Sequence, residues 1–417
     1  MSVESVVPLA PRKAALAFIF VTIALDMLAL GMIVPVFPKL IEDFLGGDTA
    51  RAARIYGFFG ITWAAMQFVS MPVMGALSDR FGRRPVILIS NFGLGLDYMV
   101  MAVAPNLGWL LVGRILSGIC AASITTGMAY VADVTPAERR SAAFGMLGVA
   151  FGLGFVLGPA LGGLLGNADP RLPFWAAAAF SLANGLYGLL VLPESLPPAA
   201  RRRFEWRRAN PLGSLRLLRS HPELSGLASV AFLTNLAHNA LPAIFVLYAM
   251  YRYDWNARAV GLTLAAVGVT AAVVQGALVG PLVRKVGERR TLLIGLALGA
   301  GGFAVYAFAQ TGALFLAGIP LVGLSGLAGP AVQSLMSRRV APSEQGELQG
   351  ANGALFGISA MIGPGLFTQT FSYAIGGHAP WHFPGAPFLV ACALLGAALW
   401  VAATRRTAEP AATGSSG

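Results

Sequence analysis

Apolar runs of about twenty residues recur along the whole chain, separated by short polar breaks. A run of that length crosses about 30 Å of hydrocarbon when it winds into an α-helix. The pattern predicts twelve such spans, near residues 14–37, 55–77, 85–104, 107–131, 142–166, 173–193, 223–250, 259–283, 290–310, 312–337, 348–375 and 385–404. The fold class it predicts is an all-α membrane protein. The first run is full length and has no small-residue cleavage site before a polar mature start, so we expect no cleaved signal.

Composition points the same way. Of 417 residues, 56% are hydrophobic and only 11% charged, whereas a soluble domain carries about 25% charged residues. So few charges could not cover a surface exposed to water. The net charge of +11 would suit nucleic acid, but its distribution argues for membrane topology instead. The N-terminus, the loops after spans 2, 4, 6, 8 and 10, and the C-terminus together hold 22 of the 29 Lys and Arg residues. The opposite loops hold six, and Arg114 alone lies inside a span away from its ends. By the positive-inside rule both termini are cytoplasmic. The basic run ARRRFEWRR at 200–208 then reads as a cytoplasmic linker, with the lipid bilayer and no nucleic acid as partner. Cys120 and Cys392 both fall in apolar runs, which excludes a disulfide framework.

A repeat divides the chain. GALSDRFGRR begins at Gly75 and GPLVRKVGERR at Gly280, 205 residues later; Gly158-Pro159 recurs as Gly363-Pro364 at the same offset. Two independent matches at one offset argue for duplication of a six-span unit. We therefore expect an N-terminal six-helix half at 1–193, a cytoplasmic linker at 194–222, a C-terminal six-helix half at 223–404 and a flexible cytoplasmic tail at 405–417. Two six-span halves related by an axis along the membrane normal, with a central site, describe the major facilitator architecture.

Within the spans, charge is scarce and therefore informative. Away from the span ends Asp26 and Asp97 are the only carboxylates, and a charge at mid-membrane costs several kcal/mol. Each lies about twelve residues, roughly 18 Å, from the cytoplasmic end of its span. Arg114 lies about seven residues, roughly 10 Å, from the opposite end, so all three reach similar depth. Arg114 either snorkels to the interface or faces the interior with an acidic partner. Asp26 is either a permanently paired structural group or a carrier that binds and releases a proton as its surroundings change. The same two readings stand for Asp97.

The loop Gly75-Ala-Leu-Ser-Asp79-Arg80-Phe-Gly82-Arg83-Arg84 allows a tight reversal at its glycines. It reads either as a solubilising turn or as a cytoplasmic latch in which Asp79 accepts from an arginine or a helix start. Asp133, in VADVTPAERR, caps its helix or joins that gate through Arg139 or Arg140. Gly154, Gly158, Pro159, Gly162 and Gly163 in span 5 predict a bent helix that another helix approaches closely. Of four histidines only His238 lies in a span, as a core residue or a cavity-lining one; none has metal-ligand spacing with Cys, Asp or Glu. No Walker loop and no nucleophile–base set is present, so we expect neither an ATP-driven pump nor an enzyme, and no cofactor.

Several stretches resemble one family. TIALDMLALGMIVPVFPKL, MQFVSMPVMGALSDRFGRRPVIL, GLDYMVMAVAP, GRILSGICAASITTGMAYVADVTPAERR and FGLGFVLGPALGGLLG are similar to the tetracycline/proton antiporters of Gram-negative bacteria, in the major facilitator superfamily. The resemblance runs nearly end to end. It implies export, across the inner membrane, of tetracycline as a magnesium complex or of a similar amphipathic drug, driven by incoming protons. The alternative is proton-driven efflux of another small molecule. By position it implies proton coupling at Asp26, Asp97 and Arg114, a gate loop with Asp79 and Arg83, and cavity positions at Gln67 and Gln275. We add Asn235 and His238 as cavity candidates, and expect a monomer. Two positions depart from the family: an aspartate of span 9 is Gly299 here, and a histidine of span 8 is Ala271.

Overall fold

The computed structural model describes residues 13–121, 123–136, 139–202, 204, 213–377 and 382–404; for 13–16, 123, 141, 142, 214 and 342 it describes the backbone alone. The predicted tail, part of the linker, Glu138 and His378 lie outside these residues. Among the described residues twelve helices are long and apolar enough to cross a membrane. They are α1 Ala17–Phe44, α2 Thr49–Phe81, α3 Arg83–Val103, α4 Leu107–Val134, α5 Ala143–Ala168, α6 Leu172–Val191, α7 Pro222–Tyr253, α8 Ala257–Val286, α9 Glu288–Phe308, α10 Gly312–Ser337, α11 Gln345–Ile375 and α12 Ala386–Thr404. Each coincides with one predicted span.

The end of α1 differs from the prediction. Its first segment stops at Ile33, and the chain then turns through Pro35, which has no backbone N–H to donate. A second segment, Phe37–Phe44, restarts with Pro38 in its first turn, where that missing donor costs nothing. This segment of eight residues carries the span on to Phe44, with Lys39 paired to Glu42 at 2.8 Å and to Asp43 at 3.1 Å. Charged residues paired along one face let a polar stretch extend an apolar span.

By contact, the described residues fall into two units. One takes those within Met1–Asp48, Thr62–Pro211 and Asp254–Gly268; the other those within Thr49–Ile61, Leu212–Tyr253 and Val269–Gly417. In the first, α1 packs along α5 and α6, and α3 along α6 and α4. In the second, α7 packs along α11 and α12, and α9 along α12 and α10. The pairings are the same, six helices on.

The repeat extends to single residues. Gly82 and Gly287, 205 apart, both take positive φ (106° and 83°) at the break before α3 and α9. Asn106 and Thr311, at the same offset, cap α4 and α10, each side chain accepting from the backbone N–H three residues on at 3.3 Å.

Helix α3 shows what solvent the fold expects. Its exposed residues Ile89, Leu96 and Val103 recur every seven positions at 67, 57 and 58% exposure, while Ser90, Asn91 and Asp97 are buried. A soluble helix would turn the other way. Apolar stripes outside and polar groups inside suit hydrocarbon, and the all-helical backbone satisfies its own N–H and C=O groups there.

Close approach of α1 and α5 is made by glycine. A Cβ on Gly158 would lie 2.7 Å from Gly31 Cα, and one on Gly162 would meet the Met32 backbone. The branched side chain of Gly162→Val is expected to force the helices apart and lower the melting temperature by several degrees, the range of an overpacking cost of about 1–3 kcal/mol. Gly145→Ala on the same helix, where nothing lies within 4 Å, should change it little. Thermal unfolding of the purified variants in detergent checks both.

Candidate functional site

The buried charges predicted from sequence meet in the first unit. α1 contributes Thr22 and Asp26, α3 Asp97, α4 Arg114 and Ser117, and α6 Asn184; all are buried. Asn184 spends its amide group on α1, donating from Nδ2 to Asp26 Oδ1 at 3.0 Å and to the Thr22 carbonyl at 3.1 Å. Asp97 is fully buried, with Arg114 and Ser117 as its charged and polar neighbours. Neither of its carboxylate oxygens reaches a hydrogen-bond partner among the described residues. Gly113 makes the approach of α4 possible, since a Cβ there would stand 2.9 Å from Asp97 Oδ1.

Arg114 faces inward. Its guanidinium stands over the rings of Phe37 and Trp63, 5.2 and 5.4 Å from their centroids. Aromatic faces stabilise a cation away from water, so the interior reading holds and the snorkelling one fails. Asp26, Gln67, Tyr98 and Ser117 line a cavity of about 30 Å³. That is room for a water or two, since one water needs about 10–15 Å³. It is far below the roughly 300 Å³ of a small drug pocket. A space of that size cannot hold a drug.

The glycine-rich face of α5 borders this site. Gly154 packs on Met27 and Leu28, Gly158 and Pro159 on Gly31, and Gly162 on Met32, all within the turns of α1 that follow Asp26. Gly163 faces the other way, toward Gly261 of α8 within the same unit, where a Cβ would lie 2.9 Å from Gly261 Cα. A shift of α5 would therefore press directly on the helix that carries Asp26.

At the loop after α2, the predicted latch is a network centred on buried Arg83. Its side chain reaches Asp79 at 2.6 Å, Asp133 at 3.1 Å and Ser78 Oγ at 2.6 Å; Ser78 Oγ in turn donates to the Gly75 carbonyl at 2.8 Å. Asp133 thus pairs with Arg83, not with Arg139 or Arg140. Arg140 donates to the Thr135 carbonyl, and Arg139 is exposed at the start of its helix. Arg80 lies over the Phe81 ring, outside the network.

One member escaped the sequence reading. Glu194, just past α6, accepts from the backbone N–H groups of Arg83 (2.9 Å), Arg84 (3.3 Å) and Leu196 (3.0 Å). It caps α3 from 111 positions away, and its carboxylate sits where the helix dipole favours negative charge. Gly82 leaves it space, since any Cβ there would strike Glu194. Ser195 adds a bond to Asp133 at 3.1 Å.

The cavity candidates do not form one cluster. Gln67 lies with Asp26, whereas Asn235 lines a separate cavity in the second unit. Gln275 is exposed on a π-helical turn, Val274–Leu278, a local widening that recurs at functional sites. His238 bonds Ser325 Oγ at 2.6 Å. Ser325 in turn packs on Gly299, where a Cβ would lie 2.6 Å from Ser325 Cβ and 2.9 Å from Leu395 Cδ1. The space an aspartate would occupy at Gly299 is filled.

The profile of the Major Facilitator Superfamily matches residues 19–364 and, in a second match, 227–416. The chain belongs to this superfamily. It is 36% identical over 392 residues to the class C tetracycline resistance protein of Escherichia coli, covering 94% of this chain and 98% of that one. To the class G tetracycline resistance protein of Vibrio anguillarum it is 37% identical, covering 86% and 91%. Among solved structures, a bacterial homolog of the human lysosomal transporter Spinster superposes with a TM-score of 0.76 over 94% of this chain and 96% of that one, at 17% identity. That likeness concerns the fold. Together these make the chain a multi-pass membrane protein of a transporter family.

The capping role of Glu194 is open to test. Removing a helix cap that satisfies buried N–H groups costs about 0.5–2 kcal/mol, so Glu194→Ala should lower the melting temperature by a few degrees. Glu194→Gln, which keeps an acceptor oxygen, should recover most of the loss. Equal losses in the two variants would show that charge, not hydrogen bonding, holds the loop.

Proposed function

We propose that this chain is a proton-coupled antiporter that exports tetracycline, as its magnesium complex, or a similar amphipathic drug. The observation that carries the reading is the group of buried polar side chains around Asp26 in the first unit, taken with relatives named for tetracycline resistance that span almost the whole chain. Asn184 donates to one oxygen of Asp26 and leaves the second for a proton, so the same hydrogen bond serves both protonation states. Asp97 beside Arg114 is a second acid whose charge depends on where that arginine lies. Exchange requires proton and drug to favour different states of the protein, and the Arg83 network is the latch that separates those states on one side. We place the protein in the bacterial inner membrane as a monomer, with both termini cytoplasmic, in accord with the basic loops.

Uptake of labelled tetracycline into energised inverted vesicles tests this. Wild-type protein should accumulate drug when a pH gradient is imposed and stop when it is collapsed. Asp26→Asn keeps the shape and the Asn184 contact but cannot exchange a proton. It should reduce gradient-driven uptake at least about a hundredfold, with expression and melting temperature near wild type. Full uptake by Asp26→Asn would remove Asp26 from the coupling step. No uptake by folded wild-type protein would direct the search to other substrates of the same exchange.

A further inference from the structure

The second unit holds a cavity of another kind. It measures about 360 Å³, within the roughly 300–1,000 Å³ of small-molecule sites. Three helices each present one continuous face to it. α10 contributes Gly329, Val332, Gln333 and Met336, and α11 contributes Gln349, Asn352, Gly353 and Phe356, both at the spacing i, i+3, i+4, i+7. α7 adds Thr234 and Asn235. None of the lining residues is Asp, Glu, Lys, Arg or His.

Four amides supply most of the polar groups of the wall. Gln333 Nε2 donates to Gln349 Oε1 at 2.9 Å across α10 and α11. That leaves one N–H and the carbonyl of Gln333, and both N–H groups of Gln349, for something else. The Asn235 side chain makes no hydrogen bond to a described residue, and Asn352 Oδ1 and Thr234 Oγ1 have no partner. The volume comes from glycine: a Cβ at Gly329 or Gly353 would find no atom within 4 Å. Val332, Met336 and Phe356 supply apolar wall.

We infer that this cavity is a substrate subsite that takes the uncharged, oxygen-rich edge of an amphipathic polycyclic drug. Amides both donate and accept, so they match a row of hydroxyl and keto groups, while the apolar residues take the hydrocarbon face. A cationic or anionic group would find only amide dipoles there, with no opposite charge to offset its desolvation. Drug recognition and proton binding then lie in different units, the first uncharged and the second built on Asp26 and Asp97. The inference rests on the export reading above and assigns its drug contact.

Two kinds of variant test it, with tetracycline and Mg²⁺ as the probe. Gly353→Leu fills the cavity from a position where the backbone has space, and Gln333→Leu/Gln349→Leu removes the amide pair. Initial uptake rates in inverted vesicles give KM and kcat, and each purified protein is checked by thermal unfolding. The expected result is a rise in KM of about tenfold or more in both variants, the size of one or two lost hydrogen bonds or more, with kcat within about twofold. Gln349→Asn, which keeps an amide, should lose less affinity than Gln349→Leu. Should Gly353→Leu fail to fold, Gly329→Leu and the double amide variant carry the test. An active wild type whose variants keep wild-type KM, or lose only kcat, overturns the subsite and leaves the export reading intact. A folded wild type that neither takes up tetracycline nor is stabilised by it overturns the export reading, and the subsite falls with it as a tetracycline site.

Discussion

A group able to carry charge inside hydrocarbon must be answered by another polar group, and the first unit is arranged around that demand. Asp26 on α1 is answered by Asn184 on α6, which also holds the Thr22 carbonyl. Asp97 on α3 is answered by Arg114 on α4, itself set between two aromatic rings. Asn184 thereby ties α6 to α1 by hydrogen bonds that lipid could not replace, while between Asp97 and Arg114 the attraction is electrostatic, with no hydrogen bond to either carboxylate oxygen among the described residues. Glycines do the complementary work, letting α5 lie against α1 and α4 approach Asp97. Without those approaches the carboxylates would face lipid or empty space, and the cost of burying them would fall on the fold.

Much of this was legible in advance because each signal is rare against its background. Twenty apolar residues in a row have few alternatives to a membrane helix, and three charges among twelve spans identify themselves. The gate loop was also legible, since its acids and bases lie close in sequence. Asn184 was not, because a neutral amide in the apolar run SLANGLYGLL changes hydropathy little and its partner lies 158 positions away. Glu194 was not, because an acid after a helix reads as a solvated linker until the fold returns it to the start of α3. The partner of Asp133 was misread for the same reason: Arg139 and Arg140 are near in sequence, but Arg83 is near in space. Local pattern reveals which residues are unusual; only the packing of helices decides what they meet.

The second unit keeps the first unit's frame while changing its charges. Residues 83 and 133 form an arginine–aspartate pair, and the residues 205 further on, Glu288 and Arg338, form a pair of reversed polarity at 2.8 Å. Arg84 donates to a carbonyl near the end of α6, and Arg289, again 205 on, to one near the end of α12. An ion pair joining the start of one helix to the end of the next can exchange its signs and keep its place, because the geometry asks for complementarity rather than for a given charge. Inside the membrane the divergence is larger. No counterpart of the first unit's carboxylates lies in the spans of the second, and the packing around Gly299 has closed over the room one would need.

On the proposed export reading, this asymmetry has a mechanical reason. A group that binds a proton must lie where water is scarce, so that its charge matters to the energy of each conformation, and a cavity of about 30 Å³ meets that need. A drug needs ten times the space and a wall that can release it as readily as it binds. Charged walls would hold a cationic drug too firmly and would compete with the proton for the same field. Placing the acids in one copy of the repeat and neutral amides in the other removes that competition while keeping the shared helix pairing. What must then pass between the two functions is movement rather than charge. The glycine face of α5, which touches α1 beside Asp26 and α8 at Gly261, is where a shift of one helix would be felt most directly by the other two, because no side chain stands between their backbones.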